Sequence, residues 1–267
     1  MINGTAVQRL GPKAAPAVVL IHGLGLNRDC WQWTTPALLA AGYQVIAYDL
    51  YGHGQSDPPP ETPSLTLFSH QLLAVLDHFG IQKAAITGFS LGGMIARHFA
   101  QEHLDRTTAI AILHSPHRRT PEAQQAIVAR VVQARLDGPA ATIEAALERW
   151  FTQTFRQAHP ETMALVRSWV LANDRAIYHT VYRVLVDGID EITATQPPIS
   201  CPAMVMTGDE DYGNGPEMSQ AIAAEIPGAE IHILRGLRHM ALAEKPDAVN
   251  TPLVAFLNTM ISRGNAA

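Results

Sequence analysis

The chain has 267 residues, which allows one large domain or one domain with an insertion and is long enough to bury a sizeable hydrophobic core. Hydrophobic residues make up 47% of the chain and charged residues 16%, as in folded globular proteins rather than disordered ones. The net charge of −5 provides no basic footprint for nucleic acid, and no lysine or arginine run indicates a membrane surface. We therefore expect neither nucleic acid nor a membrane as a partner.

The cysteine content and the beginning of the chain bear on its location. Two cysteines, Cys30 and Cys201, are too few for a disulfide framework and lack the spacing of a zinc site. Residues 1–4 do not begin a charged segment followed by an apolar one, and no apolar run approaches membrane-spanning length. These features predict a cytoplasmic protein with reduced cysteines.

Short apolar runs alternate with helical patterns through the first half of the chain and again near its end. Strands are predicted at residues 17–21, 44–48, 83–87, 109–113, 203–207 and 230–234. Helices are predicted at residues 66–79, 94–100 and 251–261, the last with Thr251 as its N-cap and Pro252 at its start. Because the strands are apolar throughout, the pattern predicts a parallel sheet covered by helices on both faces.

The alternation stops in the middle of the chain. From Pro121 to about Ile192 the pattern is helical only, with apolar residues at 143, 146, 147, 150 and 151 on one helix face. This predicts an insertion of three or four helices, closed by the prolines at 197 and 198. The expected organisation is a first core segment at 1–116, a helical cap at 117–196 and a second core segment at 197–267.

The stretch Gly88-Phe89-Ser90-Leu91-Gly92-Gly93 lies between a predicted strand and a predicted helix. A Gly-x-Ser-x-Gly turn in that context lifts a serine hydroxyl clear of the backbone, and the helix N-terminus stabilises an anion beside it. Ser90 is therefore a candidate nucleophile. The alternative interpretation is an ordinary glycine-rich turn between a strand and a helix.

A serine hydroxyl needs a base within hydrogen-bond reach, and the base needs an orienting carboxylate. In a sheet of this kind the order along the chain is serine, acid, histidine. The predicted strand at 203–207 leads into Asp209, Glu210 and Asp211, and the strand at 230–234 leads into His239. The residues alone leave all three acids open.

At this point the chain resembles the α/β-hydrolase superfamily along nearly its whole length. His22-Gly23-Leu24-Gly25 is similar to the oxyanion-loop motif of that family, and residues 49–56 are similar to its second turn. Gly208-x-x-Asp211 with Pro216 resembles the acid loop, and His239 with the following Glu244-Lys245-Pro246 resembles the histidine loop. Two positions depart from the family pattern, namely Leu237-Arg238 before the histidine and Gly215 in the acid loop.

The resemblance implies an α/β-hydrolase fold, a mostly parallel sheet with helices on both faces and an inserted helical cap. It assigns Ser90 as nucleophile, His239 as base and Asp211 as the orienting acid, with the backbone N–H groups of Leu24 and Leu91 forming the oxyanion hole. Residues 148–155 and 159–161 resemble caps of the 3-oxoadipate enol-lactonase group.

The implied activity is hydrolysis of small carboxylic esters or lactones through an acyl-enzyme, without a metal or cofactor. The alternatives are carbon–carbon bond hydrolysis or perhydrolysis on the same residues, and a small-molecule receptor with slow turnover. The identity of the ester or lactone and the oligomeric state stay open.

Three aromatic residues, Trp31, Phe89 and Trp150, are candidates for the substrate pocket. Core packing is the alternative for Trp31, and packing of the cap onto the core is the alternative for Trp150. Arg149 is a candidate for binding a substrate carboxylate, but it lies off the apolar stripe of its helix, which favours a solvated side chain.

The histidines other than His239 have simpler interpretations. His22 is either a catalytic base or, as we favour, a hydrogen-bonded residue that shapes the oxyanion loop, and His53 is predicted to be a turn residue. His114-x-x-His117 lacks the spacing of a metal-binding pair on a helix, and no His-Glu-x-x-His motif occurs.

Overall fold

A seven-stranded sheet with the order β1-β3-β2-β4-β5-β6-β7 organises the chain. The computed structural model describes the backbone of residues 1–264 and the side chains of residues 1–260. The strands are β1 Val7–Leu10, β2 Ala17–Ile21, β3 Gln44–Tyr48, β4 Ala84–Phe89, β5 Thr107–Leu113, β6 Ala203–Gly208 and β7 Glu230–Leu234.

Neighbouring strands from β3 to β7 run parallel, and β1 alone among the described strands runs antiparallel, beside β3. Every residue of β2, β3, β4 and β6 is buried, as expected for strands covered on both faces. The apolar-run criterion found these strands but missed β1. That strand lies at the sheet edge, is only partly buried, and contains Gln8 and Arg9.

The helices of the core pack on the two faces of this sheet. They are α1 Thr35–Ala40, α2 Leu65–His78, α3 Leu91–Glu102, α9 Pro216–Ala224, α10 Ala241–Glu244 and α11 Pro246–Gly264. The prediction for the last helix was wrong at its start. The helix begins at Pro246, whose ring suits a first helical position, and Pro252 lies inside it. Buried residues such as Val249, Leu253 and Phe256 hold it against the core and offset the hydrogen bond that Pro252 cannot donate.

Five helices follow one another between β5 and β6, and we refer to them as the cap. They are α4 Pro121–Asp137, α5 Ala140–Trp150, α6 Gln153–Ala158, α7 Pro160–Leu171 and α8 Arg175–Asp187. The expected three or four helices were too few because α6 is short, buries no residue and leaves no apolar periodicity. Its start is set instead by Thr152, whose side chain accepts a hydrogen bond from the Phe155 N–H.

The boundaries at 1–116, 117–196 and 197–267 remain predictions, and residues 265–267 lie outside the described residues. Within residues 1–264, none of the helices has the length and apolar character that crossing a membrane requires.

The carboxyl ends of the parallel strands bring polar residues to one edge of the sheet. His22 follows β2, Asp49 follows β3, Ser90 follows β4 and His114 follows β5. The loops after β6 and β7 add Asp211 and His239 at the same edge. Ligand sites of open parallel sheets lie at this edge, so the candidate site lies here.

Candidate active site

Ser90 occupies the sharp turn between β4 and α3. Its backbone has φ 55° and ψ −112°, a conformation that L-residues rarely adopt and that the surrounding structure must enforce. The turn closes only because its neighbours are glycines, since a Cβ on Gly88 would overlap the Gly92 carbonyl and a Cβ on Gly92 would overlap the Ile21 carbonyl. The Ser90 N–H donates to the Leu113 carbonyl over 2.8 Å, which ties the turn to β5.

Asp211 and His239 are joined directly. The His239 Nδ1–H donates to Asp211 Oδ2 over 2.7 Å, and both side chains are buried. An imidazole that donates through Nδ1 presents Nε2 as its basic nitrogen. Asp211 Oδ1 accepts the N–H groups of Gly213 and Asn214 over 3.2 and 3.0 Å, so the acid loop itself fixes the carboxylate.

A second histidine shares this carboxylate. His114 donates Nδ1–H to Asp211 Oδ2 over 2.9 Å and is 1% exposed. Its ring lies edge-on to that of His239, with centroids 5.6 Å apart. The sequence analysis considered His114 only as a metal ligand and missed this contact, although its position directly after β5 was a usable signal.

The charge state of the acid follows from these contacts. Burial alone would raise the pKa of Asp211, but the charge of His239 and hydrogen bonds from both imidazoles hold it well below the ordinary range. Burial lowers the pKa of His114, against the opposing effect of the carboxylate. At neutral pH the arrangement therefore combines an ionised Asp211 with a neutral His114.

The rival acids point elsewhere. Asp209 is exposed and accepts the Gly236 N–H over 2.7 Å, which shapes the turn after β7. Glu210 pairs with Arg238 at 3.4 Å. Of the three acids left open, Asp211 alone contacts an imidazole in the described part of the chain.

Ser90 and His239 line one cavity of about 110 Å³ at the sheet edge. No hydrogen bond joins their side chains within residues 1–260. The hydrogen-bond chain from serine through histidine to acid is therefore incomplete between Ser90 and His239. The hydroxyl is reachable, since Ser90 is 8% exposed. In sites without substrate, such catalytic hydrogen bonds are often long and tighten only in the complex.

The loop predicted to form the oxyanion hole lies against Ser90. A Cβ on Gly23 would stand 3.1 Å from Ser90 Cβ, so glycine permits the close approach of this loop. The N–H groups of Leu24 and Leu91 have no acceptor among the described residues, as expected of donors kept for a ligand. Leu91 is also the first residue of α3, where backbone N–H groups are free of intrahelical bonds.

Two buried histidines hold the oxyanion loop in place. His22 Nε2 accepts the Leu50 N–H over 2.9 Å and its Nδ1–H donates to the Gly23 carbonyl over 2.8 Å. His53 Nε2 accepts the Gly25 N–H over 3.0 Å. Both rings act as acceptors toward backbone N–H groups, so both must be neutral for the loop to keep this shape.

We expect the free energy of unfolding to fall as the pH drops from about 6.5 toward 4. Burial lowers the pKa of His22 to about 4, and burial with the neighbouring charge of His22 lowers that of His53 to about 3. An unfolded histidine titrates near 6.5, so the unfolded chain binds more protons in this window, and each group costs about 1.4 kcal/mol per pH unit. Urea unfolding at a series of pH values from 7.5 to 4.5 measures the slope of the free energy of unfolding against pH.

The control for this prediction separates the buried ring from other titrating groups. His53→Gln retains a side-chain acceptor for the Gly25 N–H but cannot be protonated, so its slope is expected to be shallower than that of the wild type. His70→Gln, an exposed histidine on α2, is expected to keep the wild-type slope. Equal slopes for the wild type and His53→Gln would contradict the prediction.

Of the three aromatic pocket candidates, two line the cavity and one lies in the core. Phe89 and Trp150 line the cavity, and their rings lie 4.9 and 6.0 Å from the His239 ring. Trp31 was wrong as a pocket candidate: it is fully buried in the core and does not contribute to the cavity. It lies in a short 3-10 helix after the oxyanion loop, which turns the indole inward.

The expectation that Arg149 is solvated was also wrong. Arg149 is half-buried and lines the cavity, together with Arg119 and Arg130, which the sequence analysis missed. The prediction from a single apolar stripe failed because α5 packs against other cap helices with one face and lines the cavity with another. Neither of the two further arginines had a sequence signal, since Arg119 lies in the loop before α4 and Arg130 lies on a helix without a marked apolar face.

The cap and the histidine loop are hydrogen-bonded to one another. The Met240 N–H donates to the Trp150 carbonyl over 2.8 Å, and Arg238 donates to the carbonyls of Glu148 and Phe151 over 2.8 and 3.1 Å. These bonds satisfy free carbonyls at the end of α5. Arg238, which departs from the family pattern, therefore has a structural role.

One group of described side chains has the composition of a metal site. His114, Asp211 and His239 place one possible ligand atom each within 4.8 Å of the others. They approach one another through two N–H donors on one carboxylate oxygen, and a metal ion would have to replace both protons. His117 bonds Glu225 at 3.0 Å instead of joining His114.

A model of the family described as having the alpha/beta hydrolase fold matches residues 16–246. The chain belongs to the α/β-hydrolase family. The mostly parallel sheet, the helices on both faces and the helices inserted after β5 agree with this membership.

Relatives of this α/β hydrolase include two proteins from Acinetobacter baylyi. It is 27% identical to (E)-2-((N-methylformamido)methylene)succinate hydrolase, covering 91% of this chain and 90% of the relative. It is 30% identical to 3-oxoadipate enol-lactonase 1, covering 77% and 75%. Among solved structures, the enol-lactonase from Burkholderia xenovorans LB400 superposes with a TM-score of 0.87 at 28% identity, covering 95% of this chain and 96% of that one.

Proposed function

We propose that this α/β hydrolase cleaves small carboxylic esters or lactones through an acyl-enzyme on Ser90. The observation that supports it most is the cavity at the sheet edge, where Ser90 lies beside an imidazole that is bonded to a buried, ionised carboxylate. The likeness to proteins named enol-lactonases supports the lactone part of the substrate class.

In the first half of the proposed reaction, substrate brings Ser90 Oγ and His239 Nε2 into hydrogen-bonding contact. Nε2 takes the hydroxyl proton as Oγ attacks the carbonyl carbon, and the negative charge on the carbonyl oxygen is stabilised by the Leu24 and Leu91 N–H groups. Asp211 keeps the imidazole in the required tautomer and stabilises its positive charge. The intermediate then expels the alcohol oxygen, which takes the proton from Nε2 and, in a lactone, stays attached to the acyl group.

In the second half, water resolves the acyl-enzyme. Nε2 takes a proton from water as its oxygen attacks the acyl carbon, and the same donors stabilise the second oxyanion. Collapse breaks the bond to Ser90 Oγ, which recovers its proton from Nε2. The small cavity, about 110 Å³, suits a substrate of few carbon atoms.

A serine-directed fluorophosphonate tests this proposal. We expect labelling of Ser90 in the native protein, no labelling after denaturation, and many turnovers of p-nitrophenyl acetate per protein molecule. Labelling at another residue would contradict the assignment of the nucleophile. A single slow turnover per molecule would instead favour the receptor alternative.

A further inference from the structure

Three arginines of the cap line the cavity that holds Ser90 and His239. Arg119 precedes α4, Arg130 lies on α4 and Arg149 on α5, and all three are half-buried. Asp211 is the only carboxylate among the described residues that line this cavity, and both its oxygens already accept hydrogen bonds. The cap side of the cavity therefore has an excess of positive charge.

Among the described side chains, no carboxylate forms an ion pair with any of the three guanidinium groups, and Glu148, which pairs with Arg156 at 3.9 Å, acts on Arg149 only at longer range. Arg119 donates to the Leu185 carbonyl over 2.8 Å, and Arg130 Nε donates to the Tyr182 hydroxyl oxygen over 3.1 Å. Both acceptors are neutral. Arg149 makes no hydrogen bond or ion pair with another residue whose side chain the structure describes. Because the Tyr182 oxygen accepts from Arg130, its own proton is available to a ligand.

Placing these cations together costs free energy in the absence of a ligand. Burial, with the charge of Arg130, lowers the pKa of Arg119 to about 10, and the same two causes lower that of Arg149. The groups remain protonated at neutral pH. Proteins compensate buried charges with partners of opposite sign, and in this cavity an anionic ligand is the available partner.

The shape of the site constrains the anion. Guanidinium groups bind carboxylates through paired N–H donors, and the arginines occupy the cap side while Ser90 occupies the sheet side. We propose that the substrate is a small ester or lactone with at least one free carboxylate, bound by Arg119, Arg130 and Arg149 while the scissile carbonyl lies at Ser90. This inference rests on the proposed function and narrows its substrate class.

Binding to a protein that cannot turn over tests the carboxylate site without relying on catalysis. Calorimetry on Ser90→Ala at low salt compares glutarate, its uncharged diamide analogue glutaramide and inorganic phosphate. We expect glutarate to bind most tightly, and adding Arg149→Met to raise its Kd about 10- to 100-fold by removing a charged hydrogen-bond donor. Arg149→Lys, which keeps the charge, is expected to lose less affinity than Arg149→Met.

The matched control is Arg135→Met. Arg135 lies on α4 with Arg130 but is exposed and outside the cavity, so the same loss of one charge is expected to change the glutarate Kd less than about twofold. Equal effects of Arg149→Met and Arg135→Met would overturn the inference, as would tighter binding of glutaramide or phosphate than of glutarate. Arg130→Met provides a second variant should Arg149→Met fail to fold.

Kinetics distinguish failure of this inference from failure of the proposed function. We expect kcat/KM for monomethyl glutarate to exceed that for methyl pentanoate, and Arg149→Met to reduce this ratio about tenfold or more. Turnover of neutral esters without a preference for the anionic one would overturn the carboxylate site and leave the function standing. Tight glutarate binding with no fluorophosphonate labelling of Ser90 would overturn the proposed function and leave the carboxylate site standing.

Discussion

Replacing Ser90 by alanine is expected to lower kcat for p-nitrophenyl acetate about 10⁴- to 10⁶-fold, the range found when a catalytic serine is removed from such a triad. The variant lacks the atom that would form the proposed acyl-enzyme, so only transition-state stabilisation by the remaining groups is expected to persist. The Ser90 hydroxyl bonds no other described side chain, and the turn is held by flanking glycines, so the thermal midpoint is expected to change little.

Ser115→Ala is the matched control for this variant. Ser115 is buried beside Gly93 and lies outside the cavity lining, so the same chemical change is expected to leave kcat near the wild-type value. Comparable kinetics for the wild type and Ser90→Ala, with a folded variant, would refute Ser90 as the nucleophile.

Asp211→Asn is expected to lower kcat about 10⁴-fold, as when the acid of such a triad is neutralised. The amide cannot stabilise the imidazolium of His239, and in either orientation its NH₂ group faces donors, namely the two imidazole N–H groups or the two backbone N–H groups of the acid loop. The low pKa of Asp211 in the folded chain means that its ionised form stabilises the protein above pH 4, the usual range for an unfolded aspartate. A lower thermal midpoint is therefore expected at pH 7.

Asp209→Asn supplies the comparison, because Asp209 lies two residues away but is exposed and bonds only a turn N–H. We expect its kcat to stay within about threefold of the wild type, as for surface substitutions away from the site. Circular dichroism confirms folding of both variants before kinetics. A wild-type kcat in Asp211→Asn, or an equal loss in Asp209→Asn, would show that another acid orients His239.

Much of the fold was accessible from the sequence because its determinants are local. Buried parallel strands are continuous apolar runs, and those runs located β2 to β7 nearly to the residue. The edge strand β1 and the short helix α6 were missed because each buries too little to leave an apolar pattern. The start of α11 was misplaced because Pro246 and Pro252 carry the same signal, and only packing distinguishes them.

In the candidate site, too, the sequence marked the residues that belong to local motifs and missed those that only the fold brings together. Ser90, Asp211 and His239 could be named because motifs at strand ends mark them. The link from His114 to Asp211 and the convergence of Arg119, Arg130 and Arg149 depend on how distant segments meet. A helix such as α5 buries residues on two faces, one against other helices and one at the cavity. A prediction based on a single apolar stripe therefore misplaced Arg149.

The hydrogen bonds between the end of α5 and the residues flanking His239 have a mechanical consequence. Any outward displacement of α5 must break the hydrogen bonds that Arg238 and Met240 donate to it, or it must move the histidine loop as well. The position of the cap and the position of the His239 imidazole are therefore mechanically coupled, since a displacement of α5 is transmitted to the loop that carries His239.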